Sequence, residues 1–139
     1  MQRMDVSICL ITKGDTYILQ QRENDPAKGA AGLIGAFGGK IETNETPVEA
    51  VCRELSEETS LRPLTEDFDY LGDVNVVSDR NHEPVHIMAR VFRLLLAPDT
   101  DIQALDGELV RITAAEVQRT TSKLTPATQA AFEQFIERE

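Results

Sequence analysis

Residues 38–61 read GGKIETNETPVEAVCRELSEETSL, and this stretch decides how the rest of the chain is read. A helix starts in it with clear punctuation. Thr46 is a good N-cap, Pro47 suits the first helical position, and Glu49 completes a Thr-x-x-Glu capping box. Val48, Val51, Cys52 and Leu55 then recur at the spacing of a buried stripe. At roughly 100° per residue from Glu54, Glu57 falls near −60° and Glu58 near +40°. The three carboxylates thus share one edge of the helix, next to the apolar stripe. Like charges at i,i+4 each cost about 0.2–0.5 kcal/mol on an exposed helix. Partly desolvated carboxylates about 6 Å apart repel by ~3 kcal/mol at an effective dielectric of 20. A divalent cation reverses that sign, and an all-oxygen donor set selects Mg²⁺ or Mn²⁺ over Zn²⁺. The competing reading is a solvated acidic face with an Arg53–Glu57 pair. Two neighbours separate the readings. Phe37-Gly38-Gly39-Lys40 is a turn whose backbone can approach a ligand closely, and Glu45 can fold back toward the same edge.

Outward from this stretch, the pattern is that of a mixed sheet between helices. Met4, Val6, Ile8 and Leu10 recur at period two, Lys13-Gly14-Asp15 supplies a turn, and Tyr17-Ile18-Leu19 resumes an extended run. Residues 23–36 read as a long loop of the kind that often binds ligands. In residues 67–76, Phe68, Tyr70, Val74 and Val76 alternate with polar residues. Residues 78–83 read as a polar turn, and residues 85–96 are apolar on both parities, as in a central strand covered on both faces. A further strand is predicted from Glu108 to Ile112. Two helices close the chain, one beginning at Thr113 with a capping box to Glu116, the other at Thr125-Pro126.

Composition limits the alternatives. The chain has 139 residues, 41% of them hydrophobic and 27% charged, which suits one soluble domain over residues 1–139. No apolar run approaches the 18 or so residues of a membrane span. The N-terminus leads straight into a strand pattern, so no signal or transit peptide is expected. Cys9 and Cys52 form no CxxC pair, which argues against a disulfide framework or zinc site and fits a reducing cytosol. The formal net charge of −10 excludes a general binder of polymeric nucleic acid. His82 and His86 are assigned structural or surface duty, and Cys52 a packing role.

Residues 39–61 resemble the Nudix signature: Gly39, Glu45, then Arg53-Glu54-Leu55, Glu57-Glu58 and an aliphatic Leu61 at the family's spacings. The resemblance implies a Nudix-type α/β/α sandwich with a central mixed β-sheet. It also implies metal-dependent hydrolysis of a nucleoside diphosphate linked to another group. Glu54, Glu57, Glu58 and the Gly39 carbonyl would hold Mg²⁺ or Mn²⁺. Arg53 would orient a catalytic glutamate through a bidentate bond, supported by Glu45. Arg22 and Lys40 would contact phosphate, and Glu108 resembles the later-loop acid that serves some members as general base. Members acting on ADP-ribose often carry a proline about fifteen residues after the signature, and those acting on dinucleoside polyphosphates a tyrosine slightly later. Residues 71–83 contain neither. That tilts the expectation toward a MutT-like pyrophosphatase of nucleoside triphosphates or oxidised nucleotides. The rivals are an ADP-ribose or nucleotide-sugar pyrophosphatase and a catalytically silent ligand sensor. The partner is a small-molecule nucleotide, with neither nucleic acid nor membrane. A homodimer, common in the family, is a further possibility. Ser60 departs from the pattern, since the family usually has glycine there to end the helix in a left-handed cap.

Overall fold

The computed structural model describes residues 1–136. In chain order the strands are β1 (Gln2–Lys13), β2 (Thr16–Gln21), β3 (Ile34–Gly35), β4 (Phe37–Lys40), β5 (Asp69–Arg80), β6 (Glu83–Leu95) and β7 (Glu108–Thr113). The α-helices are α1 (Pro47–Glu58) and α2 (Pro126–Phe135). Strand β1 is the spine. It runs parallel to β6 through eleven residue pairs, from Gln2 opposite Val85 to Thr12 opposite Leu95. At its C-terminal end it forms the predicted hairpin with β2 around Gly14 (φ +63°), and over its middle, Val6 to Cys9, it pairs antiparallel with β4. β5 is antiparallel to β6, and β3 and β7 both pair with β2. The sheet is therefore mixed.

Burial on both parities of β1 follows from the layers. Ile8 and Leu10 join Leu19, Val74, Val91 and Phe132 on the α2 side. Cys9 and Ile11 join Ile18, Phe37, Leu55 and Phe92 on the α1 side. The result is the expected α/β/α sandwich, with β6 covered on both faces. The Thr46–Glu49 capping box is formed as read, with both reciprocal bonds present. No helix of the described residues is long and apolar enough to cross a membrane.

Four details depart from the sequence reading. First, Phe68 and Val74 share a parity but lie on opposite faces, because a bulge between Tyr70 and Gly72 shifts the β5 register. Gly72 (φ +143°) permits it, since a Cβ there would stand 2.7 Å from the Phe135 ring. Second, the polar turn over 78–83 shrinks to Asn81 and His82, both at positive φ, while the strands extend to Arg80 and Glu83. Third, the segment after Thr113 is a 3-10 helix (Ala114–Lys123) instead of an α-helix. The Thr120 and Thr121 hydroxyls bond carbonyls of residues 116–118, competing with a regular backbone ladder. Fourth, the loop over 23–36 holds a 3-10 turn (Pro26–Lys28) as well as β3.

The helix end explains Ser60. Thr59 is extended (φ −134°, ψ 170°), so α1 stops without a left-handed residue. The buried Thr59 hydroxyl donates to the Leu55 carbonyl (2.7 Å) and accepts from the Leu61 N–H (3.1 Å). Ser60 then pairs with Gln103: its N–H donates to the Gln103 carbonyl, and its Oγ accepts from the Gln103 N–H, both at 2.9 Å. A glycine would keep only the first bond. Ser60→Ala is expected to lower unfolding free energy by about 1 kcal/mol, the net worth of one hydrogen bond. A fall in the urea midpoint at unchanged slope would show it.

Candidate active site

Arg53 is the hub of the acidic edge. Its Nε donates to Glu45 Oε2 (2.7 Å), and Nη2 donates to Glu45 Oε1 (3.0 Å) and to the Lys40 carbonyl (3.1 Å). Its Nη1 donates to Glu54 Oε1 (2.9 Å) and Glu57 Oε1 (3.2 Å). All five guanidinium N–H donors are thereby used, a geometry the lysine ammonium cannot supply. The bidentate bond expected for a helix glutamate goes to Glu45 instead, and Glu54 and Glu57 each receive a single bond. Hydrogen bonding to Arg53 holds the Glu45 carboxyl down at about 2.

The two glycines of β4 bring backbone against the carboxylates. The Gly38 N–H donates to Glu58 Oε1 (3.0 Å). Gly38 (φ +149°) passes so close to β1 that a Cβ would sit 2.1 Å from the Ser7 carbonyl oxygen. At Gly39 a Cβ would fall 2.6 Å from the Glu54 carboxylate. Burial, then repulsion from Glu54, pushes the Glu58 carboxyl up to about 8, although the Gly38 N–H and Arg22 oppose the shift. Burial also raises Glu54 against the pull of Arg53, whereas the Glu57 side chain is 59% exposed.

Carboxylates held in this way against their preference for ionisation fit a cation-binding edge. The oxygen-only donor set of Glu54, Glu57, Glu58 and the Gly39 carbonyl suits Mg²⁺ or Mn²⁺. Among the described residues, no three His, Cys, Asp or Glu side chains converge as a ready-made cage. Arg53 holds Glu54 and Glu57 along its own edge, while Glu58 turns to Gly38.

Glu58 faces a cleft of about 180 Å³ shared with Arg22, Lys28, Gly38 and Asp106. The loop carrying Asp106 is tied to the helix end: the Leu105 N–H donates to the Glu58 carbonyl (2.7 Å), and Gln20 Nε2 donates to the Asp106 carbonyl (3.0 Å). Gly107 (φ +70°) lets this loop press on β2, where a Cβ would meet the Gln21 carbonyl at 2.8 Å. Glu108 is exposed, pairs with Gln21 at the start of β7, and does not line the cleft. Arg22 is half-buried in the cleft wall. Its Nε donates to the Gly29 carbonyl (3.1 Å) and its Nη2 to the Lys28 carbonyl. Burial lowers its pKa against the attraction of Glu58 and Asp106. Lys40 leaves its side chain exposed and contributes its carbonyl to Arg53. Sequence reasoning passed over Asp106, visible only as part of an Asp-Gly turn, and Lys28, which carried no sign beyond its place in the 23–36 loop.

On the α2 side of the sheet, the same Arg22, Lys28 and Gly38 border a second cavity of about 140 Å³. Met4, Val6 and Ile8 of β1 and Val85 and Ile87 of β6 line it. Fold and site together define an α/β/α sandwich in which an acidic helix edge and an apolar cavity meet at Gly38 and Gly39, which lie in strand β4 and not in the turn the sequence suggested.

Known proteins share the family and the fold. Residues 1–135 match the NUDIX domain, and the chain belongs to that family. Over 86 residues, 61% of the chain, it is 36% identical to an ADP-ribose pyrophosphatase of Methanocaldococcus jannaschii. The match spans 46% of that relative's length. Among solved structures, the MutT protein from Methanosarcina mazei superposes with a TM-score of 0.75 at 22% identity, covering 98% of this chain and 94% of that one. A MutT NUDIX hydrolase from Burkholderia pseudomallei gives 0.69 at 26% identity, covering 96% and 98%.

The raised Glu54 and Glu58 carboxyls make a signed prediction. A carboxyl whose folded pKa lies above its unfolded value stabilises the fold while protonated, and that contribution is lost as pH rises from about the ordinary carboxylate value toward about 8. Without divalent cation the melting temperature should therefore carry a falling component between pH 5 and 8. Added Mg²⁺ should raise it, and more so at pH 8 than at pH 6, since cation and proton compete for the same oxygens. Thermal melts across pH with Mg²⁺ or with EDTA measure both effects.

Proposed function

We propose that the protein is a Mg²⁺- or Mn²⁺-dependent pyrophosphohydrolase that cleaves nucleoside triphosphates with water to nucleoside monophosphate and pyrophosphate. The observation that carries this reading is the junction of the two cavities. The apolar cavity suits a base, the cleft at Glu58 suits the cations of a polyphosphate, and Arg22, Lys28 and Gly38 border both. Glu54, Glu57, Glu58 and the Gly39 carbonyl would hold the cation. When bound, the cation neutralises phosphate charge and lowers the pKa of the attacking water.

The protein's own residues do the rest. Arg53 fixes Glu54 and Glu57 and keeps their repulsion from splaying the edge. Arg22 and Lys28 offer positive charge where the phosphate chain crosses from one cavity to the other, with Lys40 exposed farther along β4. We assign proton acceptance from the water to Asp106, which faces the cleft beside Glu58. Glu108, the acid expected from sequence, lies two residues further on and outside the cleft. A second reading, cleavage of ADP-ribose, is favoured by the 36% identity to the archaeal ADP-ribose pyrophosphatase.

Two measurements test these assignments. A panel of nucleoside triphosphates and ADP-ribose with Mg²⁺ should release pyrophosphate from the triphosphates. Turnover of ADP-ribose alone would replace the first reading by the second. Glu57→Gln and Glu58→Gln should each lower Mg²⁺-dependent turnover at least about a hundredfold with an unchanged circular dichroism spectrum. Near-normal turnover in either variant would remove that residue from the metal site.

A further inference from the structure

The walls of the apolar cavity bear on which bases the site accepts, an inference that rests on its holding the nucleoside. Its floor is hydrocarbon from Met4, Val6, Ile8, Val85 and Ile87. Two threonines border it, but both are buried and their oxygens already accept from backbone and from each other. Thr125 Oγ1 donates to Thr128 Oγ1 (2.8 Å), which also accepts from the Ala36 N–H (2.9 Å), and both residues are buried. The Asp79 carbonyl is taken by the Ala30 N–H (3.1 Å). Strand alternation turns the Asp79 side chain to the face opposite Val74 and Val76. Ser78, opposite Val85, adds a hydroxyl, which donates or accepts with equal ease and so does not separate one base edge from another.

Arg80 stands at the rim. Its Nε donates to the Ala27 carbonyl (2.9 Å), and its Nη1 lies 3.9 Å from Met4 Sδ. The guanidinium is thus held between the loop of residues 26–30 and the apolar floor. A planar cation there can lie on the face of any base.

We infer that this site is base-indifferent: Arg80 stacks on the π face of the nucleobase over an apolar floor, and selection among substrates falls on the phosphate chain. The magnitudes are set by what the walls lack. A site that hydrogen-bonds a base edge rejects the wrong partner by about 10⁴–10⁵, whereas an apolar pocket separates similar groups by only about 10–200-fold. Stacking tolerates every base because each has a π face.

The test measures binding, so it does not depend on the proposed reaction. The probes are the α,β-methylene analogues of ATP, GTP, CTP and UTP with Mg²⁺, and inorganic tripolyphosphate with Mg²⁺, titrated by calorimetry. The four analogues should bind within about tenfold of one another and more tightly than tripolyphosphate. Arg80→Ala should weaken all four alike, by about 3–30-fold, and leave tripolyphosphate within twofold. Arg80→Lys, which restores charge but not the plane, should not recover the loss. A single base favoured more than a hundredfold overturns the inference. So does equal weakening of tripolyphosphate, which would make Arg80 only a tie for the 26–30 loop, or analogues that bind no better than tripolyphosphate. Even-handed binding without turnover of the natural triphosphates would leave base indifference standing and sink the proposed reaction instead.

Discussion

Five hydrogen bonds from one guanidinium hold the acidic edge of this protein together. Without Arg53, Glu45, Glu54 and Glu57 would face one another as like charges beside a half-buried Glu58. With it, the loop before α1, the helix itself and the end of β4 are tied at one point. The glycines complete the constraint from the other side. β4 can pass between β1 and the carboxylates only because neither Gly38 nor Gly39 carries a Cβ. The edge is therefore tied where Arg53 reaches, while Glu54 and Glu58, whose carboxyls are both raised, are the groups proposed to take a cation.

What was legible in the sequence was what local chemistry determines. The Thr46–Glu49 capping box, the β1–β2 hairpin and the double-sided burial of β6 each follow from a few adjacent residues, and the shared edge of Glu54, Glu57 and Glu58 follows from helical periodicity. The features that escaped depend on distant partners. Residue 72, at the β5 bulge, must be glycine because Phe135, sixty-three residues later, occupies the space its Cβ would take. The bidentate partner of Arg53 is Glu45 because α1 and the loop before it fold back on each other. Asp106 rather than Glu108 lines the cleft because the Glu58 carbonyl and Gln20 capture the backbone around it, a contact no local pattern encodes. The 3-10 helix after Thr113 falls between these cases. Its threonines were in view, but their competition with the backbone is decided only once β7 fixes where the segment starts.

Ser60 shows how a departure from a motif can be absorbed. The usual glycine would end the helix by turning left-handed. Here Thr59 goes extended, and Ser60 forms a two-bond pair with Gln103. That pairing draws in the loop before β7, so the residue that breaks the pattern lies at the root of the segment that presents Asp106. A helix terminus and one wall of the cleft are thus a single structural unit.

Charge sign is the remaining problem for an acidic protein proposed to bind an anionic substrate. Residues 39–61 carry a net charge of −4, and the other 116 carry −6. Those six are screened beyond a Debye length of about 8 Å at physiological salt, so an approaching polyphosphate responds mainly to what lies close to the cavities. At the apolar cavity the balance reverses: even with Arg80 left to the base, Arg22 and Lys28 outnumber Asp79, whereas in the cleft Glu23, Glu58 and Asp106 outnumber Arg22 and Lys28. The negative charge of the helix edge then lies where divalent cations accompany the phosphate, and fixed positive charge lies where they do not. Global acidity and the proposed anion binding are compatible because the two signs are sorted between neighbouring cavities.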